Sequence, residues 1–234
     1  MHNIEFEKPI CTIDAVLIRI ENESLEVGLI KRPEDARVYA GAMALPGGFV
    51  HTDKDQTIND TLLRNLAKKV NLSPAYIAKL EFDGNMTRDP EGWSITCPYL
   101  CFINETSGKS NDIEWIAMKP FVFGKPPMAL PFDHLNLIKQ AFFRLYNRAK
   151  YSTEPNFFFG SSFTLTELQR VYETVLGKDI HKKNFRDRID ESGSIANTGE
   201  SRIVKRSRAQ LFMNHSPMKT HFFSRVLQGA YDDA

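Results

Sequence analysis

The sequence is poor in cysteine, has no long apolar run and carries almost no net charge. Its three cysteines, Cys11, Cys97 and Cys101, form an odd and sparse set, which argues against a disulfide-stabilised secreted domain and fits a reducing cytoplasm. No run of 18 apolar residues is present, so we predict no membrane-spanning helix. The first ten residues, MHNIEFEKPI, lack the apolar segment of a signal peptide. With a formal net charge of +1, any binding to nucleic acid must depend on a local basic patch.

The overall composition is that of an ordinary globular protein, with 42% hydrophobic and 25% charged residues. A length of 234 residues suits one large domain or two modest ones. Cys97 and Cys101 lie in CPYLCFI, which has the pattern of a buried strand, and no histidine accompanies them at the spacing of a zinc site. We therefore predict that both cysteines are small buried side chains and that the chain binds no metal.

The hydrophobic pattern predicts strands and helices in mixed order. Strands are predicted over residues 12–20, 25–32, 78–84, 93–103 and 112–120. Leu62, Leu66 and Val70 recur at helical spacing and predict a helix between the second and third strands. A long helix is predicted over Asp133–Tyr151, with Asp133 as its N-cap. The connector STEPNFFFG follows, and we divide the chain there into domains of residues 1–152 and 153–234.

Positive charge is concentrated in the second of these domains. Residues 160–234 contain five Lys and seven Arg against five Asp and four Glu, a surplus of three. Within residues 181–208 the ratio is eight basic to four acidic side chains. A basic patch of this kind is what binding to nucleic acid requires.

The same region has the pattern of a helix-turn-helix followed by a hairpin. A helix is predicted over Thr164–Gly177, with Thr164 and Glu167 as a capping box. A second, basic helix is predicted over Asp179–Ser192, and residues 193–214 are predicted to form a hairpin that turns at NTGES, residues 197–201. Because Arg and Lys neutralise phosphates and Arg and Asn read base edges, we predict a winged helix that binds duplex DNA. The candidate DNA-binding residues are Lys182, Lys183, Asn184, Arg186 and Arg188 in the helix, and Arg202, Lys205, Arg206 and Arg208 in the wing.

The segment GGFVHTDKDQTINDTLLRNLAKKVNL, Gly47 to Leu72, has the spacing of a catalytic motif without its acidic residues. It resembles the Nudix box, G-x5-E-x7-R-E-U-x-E-E-x-G-U with U aliphatic, with two extra residues in its loop. The glycine, arginine and two aliphatic positions are filled by Gly48, Arg64, Leu66 and Leu72. The four glutamate positions hold Gln56, Asn65, Lys68 and Lys69. In a Nudix hydrolase this helix face holds Mg²⁺, which needs oxygen ligands, so the resemblance implies a Nudix fold that is not an enzyme.

A second stretch, GNMTRDPEGWSITCPYL, is similar to part of the ADP-ribose-type Nudix proteins. An arginine beside such a cavity would pair with phosphate through two parallel hydrogen bonds. Paired glycines would let a ligand approach the backbone closely. The ligand-binding residues that the two resemblances imply are Arg32, Gly47, Gly48, Phe49, Lys68, Lys69, Arg88, Asp89 and Tyr99.

Nearly the whole chain resembles the NrtR family of Nudix-related transcriptional regulators of NAD metabolism, on FVFGKPPMALPFDH and FTLTELQRVYETVLGKDIHKKNFRDRI. The resemblance implies an α+β protein, with an N-terminal Nudix α/β/α sandwich around a mixed sheet and a C-terminal winged helix-turn-helix domain. It further implies a homodimeric, cytoplasmic repressor of NAD biosynthesis or salvage genes. Such a repressor needs no cofactor and releases operator DNA when its cavity binds ADP-ribose or a related nucleotide.

Two other functions remain open at this point. The first is an active ADP-ribose pyrophosphatase that uses different carboxylates, such as Asp53, Asp55, Asp60 or Glu81. The second is a regulator of the same architecture that senses a sugar metabolite. Release of AMP from ADP-ribose would identify the first, and a thermal-shift comparison of nucleotides with pentoses would identify the second.

Overall fold

The computed structural model of the chain describes residues 8–204, 207–216 and 219–227. Its strands are β1 (Ile10–Glu21), β2 (Ser24–Lys31), β3 (Met43–Ala44), β4 (Gly47–Phe49), β5 (Tyr76–Lys79), β6 (Asp83–Asn85), β7 (Ser94–Phe102), β8 (Ile113–Ala117), β9 (Ile195–Val204) and β10 (Ser207–Asn214). Its helices are α1 (Ile58–Lys69), α2 (Lys119–Phe123), α3 (His134–Tyr151), α4 (Leu165–Leu176) and α5 (Lys182–Ser192). Among the described residues, no helix is both long and apolar enough to cross a lipid bilayer.

Eight of the strands form one mixed sheet, ordered β3-β2-β1-β7-β5 along its main path. The central pair, β1 and β7, runs parallel from Ile10 beside Ser94 to Ile18 beside Phe102. All other pairs are antiparallel, with β4 beside β1, β8 beside β2, and both β5 and β6 beside β7. The single strand predicted over residues 78–84 is thus divided between β5 and β6.

Side chains of β1 alternate between two helical layers because successive residues of a strand point to opposite faces. Ile13 and Leu17 join the apolar core that α1 completes. Val16 and Ile18 point the other way, into the core that includes α3. The sheet therefore lies between α1 and α3, which confirms the predicted α/β/α sandwich.

The aromatic connector after α3 is buried and packs against the sheet. A 3₁₀ turn covers Glu154–Phe158. The ring of Phe157 stacks on Tyr76 at 4.7 Å between centroids, and Phe158 stacks on Phe102 at 4.1 Å. Both phenylalanines belong to the core that also includes α3, α4 and α5, so the apolar interior is continuous from the sheet to the C-terminal helices.

The C-terminal helices follow the predicted pattern closely. Thr164 caps α4 and forms the capping box with Glu167, and Gly177 ends the helix at φ 67°, a left-handed conformation that glycine adopts without strain. The next helix begins at Lys182, three residues later than predicted, and Ile180 is buried in the turn before it. Together with β9 and β10 these helices form the winged helix that the sequence predicted.

The predicted turn of the wing was wrong. Val204 pairs with Ser207, and residues 197–201 lie inside β9 and not in a turn. The signal in NTGES has another cause, since Gly199 has φ 78° and lies near a register shift between Gln210 and Phe212 in the partner strand. Glycine within a strand commonly marks such a bulge.

Candidate ligand cavity and candidate DNA interface

A cavity of about 850 Å³ opens among β1, β2, β4 and α1. Its size falls in the range of about 300–1,000 Å³ that is usual for small-molecule sites. Its lining has seven Lys or Arg side chains against five Asp or Glu side chains, and the cations include Arg32, Arg64, Lys68, Lys69 and Arg88. This lining suits an anionic ligand of nucleotide size.

The two glycines of β4 form one wall of this cavity. Gly47 and Gly48 pair with Asp14 and Ile13 of β1. A side chain on Gly48 would collide with the Oδ1 atom of Asn65, which is buried and donates from Nδ2 to the Thr61 carbonyl at 2.8 Å. The glycines are therefore needed for the close packing of β4 on α1 and β1, as well as for approach of a ligand.

Lys69 directs its ammonium into the cavity at the last turn of α1. Its Nζ donates to the carbonyl oxygen of Gly47. Lys69 is exposed as a whole residue, but desolvation of its ammonium against the cavity wall, followed by the charge of Arg32, lowers the pKa of Lys69 from its ordinary value. Lys68 also lines the cavity and is exposed. Both of these predicted ligand contacts thus lie on the cavity wall.

The loop before α1 is held by an arginine–aspartate pair. Arg64 donates from Nε to Asp55 Oδ1 at 2.7 Å and from Nη2 to Asp55 Oδ2 at 2.5 Å. Asp55 also accepts from the His51 backbone N–H and the Thr61 hydroxyl, and its side chain is 2% exposed. The hydrogen bond from Arg64 holds the pKa of Asp55 well below its usual range. The carboxylate that pairs with the motif's arginine is thus Asp55, whereas the neighbouring Gln56 is exposed.

The carboxylates considered for hydrolysis lie outside the cavity lining. Asp55 is occupied by Arg64, and Asp60 accepts from the Thr57 backbone N–H in the capping box of α1. Asp53 and Glu81 do not line the cavity either. In the described part of the chain, no group of three or more His, Cys, Asp or Glu side chains could hold a metal ion.

Arg88 lines the cavity but is bonded to protein groups. Its Nε and Nη2 donate to the two carboxylate oxygens of Asp133, each at 3.0 Å. Nη2 also lies 3.3 Å from Asp14 Oδ2, and Nη1 donates to Ser94 at 3.1 Å. Asp133, Asp14 and Ser94 therefore compete with a phosphate for this guanidinium. Its neighbour Asp89 also lines the cavity and accepts at 2.9 Å from the backbone N–H two residues later.

Three further predicted ligand contacts have different placements. Arg32 lines the cavity, donates to the Val38 carbonyl at 3.0 Å and lies 5.0 Å above the Phe132 ring. Phe49 lines it with a half-exposed ring. Tyr99 does not line the cavity, because its ring is buried in the core beneath α1 and its hydroxyl donates to Asn59 at 2.8 Å. Burial raises the pKa of Tyr99 to about 12.

The structure adds cavity residues that the sequence pattern did not single out. His134 accepts the Leu45 N–H at Nδ1, at 3.0 Å, and its Nε2 lies 3.4 Å from Asp14 Oδ1. Burial alone would raise the pKa of Asp14, but hydrogen bonds from His134 and Thr96 and the charge of Arg88 lower it. A carboxylate within the apolar strand TIDAVLI was the available signal, since buried carboxylates are nearly always paired. Nothing in the sequence indicated the left-handed φ of 54° at Phe132.

The second candidate site is the exposed surface of α5 and the wing. Lys182, Lys183 and Arg186 are exposed on α5, while Phe185 and Ile189 anchor the opposite side of the helix in the core. Asn184 is half-buried. The basic first turn of α5 is therefore presented to solvent as a recognition helix requires.

The remaining predicted DNA contacts differ in how they are held. Arg188 pairs with Glu191 at 2.5 Å, and Arg202 donates to both Glu167 oxygens at 2.5 and 2.6 Å. The latter pair fixes β9 to the first turn of α4. Arg208 is exposed on β10, and Lys205 and Arg206 lie outside the described residues.

Both parts of the chain have relatives among known proteins. Residues 157–213 match the model of the NrtR DNA-binding winged helix domain. The chain is 34% identical over 213 residues to the ADPR responsive transcriptional repressor NtrR of Acinetobacter baylyi, a match that covers 89% of this chain and 83% of the relative. It is 35% identical to NrtR of Shewanella oneidensis in a crystal structure with a 27mer DNA, with a TM-score of 0.82 over 93% of this chain and 99% of that chain. The Nudix domain of the Shewanella protein, solved with ADP ribose, matches 61% of this chain and 94% of its own, at 34% identity and a TM-score of 0.53.

Proposed function

Because this chain belongs to the NrtR family of transcriptional repressors, we propose that it is a repressor that releases its operator when ADP-ribose enters the cavity between β4 and α1. One observation carries this proposal: a single chain joins a cation-lined cavity to a winged helix with an exposed basic first turn. The Acinetobacter relative is named as ADPR-responsive, and the Shewanella relative has been solved both with DNA and with ADP ribose. We take the boundary between sensor and DNA-binding domain to be residues 152 and 153.

The cavity is suited to bind a diphosphate. Lys68, Lys69 and Arg32 lie on its wall. Phosphate oxygens form strong charge-assisted hydrogen bonds with such groups, and an ammonium has three donors, only one of which is directed at Gly47. The half-exposed ring of Phe49 supplies an apolar surface for the rest of a nucleotide.

The same cations disfavour hydrolysis of the ligand. A Nudix-type reaction depends on Mg²⁺ held by carboxylate oxygens. The cavity face of α1 instead presents two lysines, whose charge repels a divalent cation. Asp55, in the loop before α1, is bonded to Arg64. The protein is therefore a receptor that keeps its ligand intact.

On DNA the protein acts as a homodimer in the cytoplasm, with one α5 in each half-site. A two-fold dimer requires half-sites separated by one helical turn or a multiple of it, so a small change in the relative position of the two winged helices is enough to lose the operator. We place the operators upstream of genes of NAD biosynthesis or salvage. The concentration of the effector would then signal the supply of NAD to these genes.

A gel shift on candidate operators of NAD genes tests this proposal. We expect one retarded complex without effector and its loss on addition of ADP-ribose. AMP serves as the control because it lacks the second phosphate and terminal ribose. The proposal is wrong if operator binding is the same with and without ADP-ribose, and a response to pentoses instead would identify a sugar sensor.

Incubation of the protein with ADP-ribose and Mg²⁺ should release no AMP above the rate without protein. The reason is that the cavity lacks a carboxylate cluster for the metal among the described residues. Chromatographic quantification of AMP provides the measurement. AMP formation that is abolished by EDTA would show that the chain is a pyrophosphatase.

A further inference from the structure

We propose that Asp133 couples occupancy of the cavity to the position of the winged helix. It would thus be a positioning residue of the response and not a contact of the ligand. The inference rests on the proposed function and adds to it the route by which ligand binding reaches the DNA-binding domain.

The first turn of α3 borders the cavity. Arg88 lines the cavity, and its guanidinium bonds both carboxylate oxygens of Asp133 at 3.0 Å. His134, the first residue of α3, lines the same cavity and accepts from the backbone of Leu45, two residues before Gly47. A displacement of the cavity wall therefore acts directly on the first turn of the helix.

Asp133 has the position of an N-cap but does not act as one. Its side chain makes no capping hydrogen bond to α3 and is committed to Arg88. The preceding residue, Phe132, has φ 54°, a conformation that costs a bulky side chain free energy and persists only where its surroundings enforce it. Arg32 lies 5.0 Å above the Phe132 ring, so a second cation of the cavity also holds this junction.

The other end of α3 is fixed to the DNA-binding domain. The helix has 18 residues and is therefore about 27 Å long at 1.5 Å per residue. At its C-terminus Ser152 accepts from the Tyr172 hydroxyl of α4 at 3.0 Å. The carbonyl of Lys150 accepts from Leu227 at 2.9 Å, and that of Tyr151 from Phe223 at 2.8 Å. A rigid element thus connects the cavity wall to α4 and the C-terminal segment.

A bound diphosphate changes the forces on this connection. Its negative charge competes with Asp133 for the guanidinium of Arg88 and with the Phe132 ring for Arg32. Either change weakens the hold on the first turn of α3 and favours a different position of that helix. The ligand can shift the equilibrium only to the extent that it binds the two positions with different affinity.

Replacement of Asp133 by asparagine provides the test, because it keeps the volume and removes one charged acceptor. Arg88 retains Asp14 as a counter-charge, so the buried guanidinium is not left alone. The measured quantity is the ratio of operator Kd with and without ADP-ribose, for which allosteric proteins typically give about 5- to 150-fold. We expect D133N to bring this ratio to within about 2-fold of unity by lowering operator affinity without ADP-ribose to that of the ligand-bound wild type, while the variant still binds ADP-ribose.

Gln140→Ala is the matched control. It removes a different hydrogen bond between α3 and the sensor domain, from Gln140 to the Glu81 carbonyl at 3.3 Å, away from the cavity lining. This variant should keep the wild-type ratio. A wild-type ratio in D133N would overturn the proposal, as would an equal loss in both variants.

Hydrogen exchange of the wild-type protein gives a second test that does not depend on folding of a variant. ADP-ribose should change the protection of amides in the first turn of α3 and around residues 150–153. Unchanged exchange at both ends of α3, in a protein that binds ADP-ribose and releases DNA, would overturn the coupling alone. Absence of ligand binding or of operator release in the wild type would instead refute the proposed function.

Discussion

Replacing Lys182, Lys183 and Arg186 together by alanine should eliminate operator binding at physiological salt, leave weak binding measurable at low salt, and leave ADP-ribose binding unchanged. All three side chains are exposed on α5, whose other face is anchored by Phe185 and Ile189. Because each phosphate contact contributes about −0.9 to the slope of log K against log salt concentration, the loss of three cations should flatten that slope by about two to three per protomer. The measurement is a titration of operator binding at several salt concentrations.

A control variant with the same change in charge distinguishes the loss of direct DNA contacts from the effect of a lower net charge. Lys109, Lys119 and Lys125 are exposed lysines of the sensor domain, far along the chain from α5. Their replacement by alanine should leave the salt slope close to that of the wild type. If the α5 variant still bound the operator with the wild-type slope, this helix would not be the recognition helix.

Replacing Lys69 by methionine should weaken ADP-ribose binding and with it the release of DNA. Methionine keeps the length of the side chain but removes the ammonium that faces Gly47. A hydrogen bond to a charged group contributes about 1.5–3 kcal/mol, so we expect affinity to fall by about 10- to 150-fold. Operator affinity without effector should remain at the wild-type level. Calorimetric titration and gel shifts measure the two effects.

The pH dependence of binding identifies the ammonium as the cause. The pKa of Lys69 is lowered in the free protein by burial and by the charge of Arg32, and a bound anion raises it again because it favours the protonated form. Affinity is therefore highest below the lowered pKa and falls as pH rises through it toward the ordinary lysine value. This fall should be absent in the Lys69→Met variant and present in Lys54→Met, an exposed lysine that does not line the cavity. Retention of the fall in Lys69→Met would assign it to another group.

Local patterns predicted most of the elements correctly because they depend on residues that are neighbours in sequence. The capping box of Thr164 and Glu167 and the left-handed Gly177 gave the limits of α4. The turn of the wing was predicted at the wrong place because of Gly199. A glycine at a bulge and a glycine at a turn both serve a positive φ, so the residue type alone does not tell the two apart. Only the pairing of β9 with β10 distinguishes the two uses.

Cavity residues were less predictable because a motif states which residues are present and not what each one contacts. Lys68, Lys69, Arg32 and the two glycines lie on the cavity wall as predicted. Tyr99 matched the motif equally well, but the alternation of β7 places its ring under α1. A shift of one residue along a strand moves a side chain from one face of the sheet to the other, and so decides whether it can reach the cavity.

The sequence by itself determined that this protein has a Nudix-like domain and a winged helix, and that basic charge is concentrated in and after α5. It also predicted that lysines occupy positions where the Nudix motif has glutamates. These properties follow from residue type and local spacing. Only the tertiary structure decided that Asp55 is the partner of Arg64, that Arg88 is bonded to Asp133, and that α3 joins the cavity wall to α4. Each of these contacts depends on how loops and helices pack in three dimensions, which residue type and local spacing do not specify.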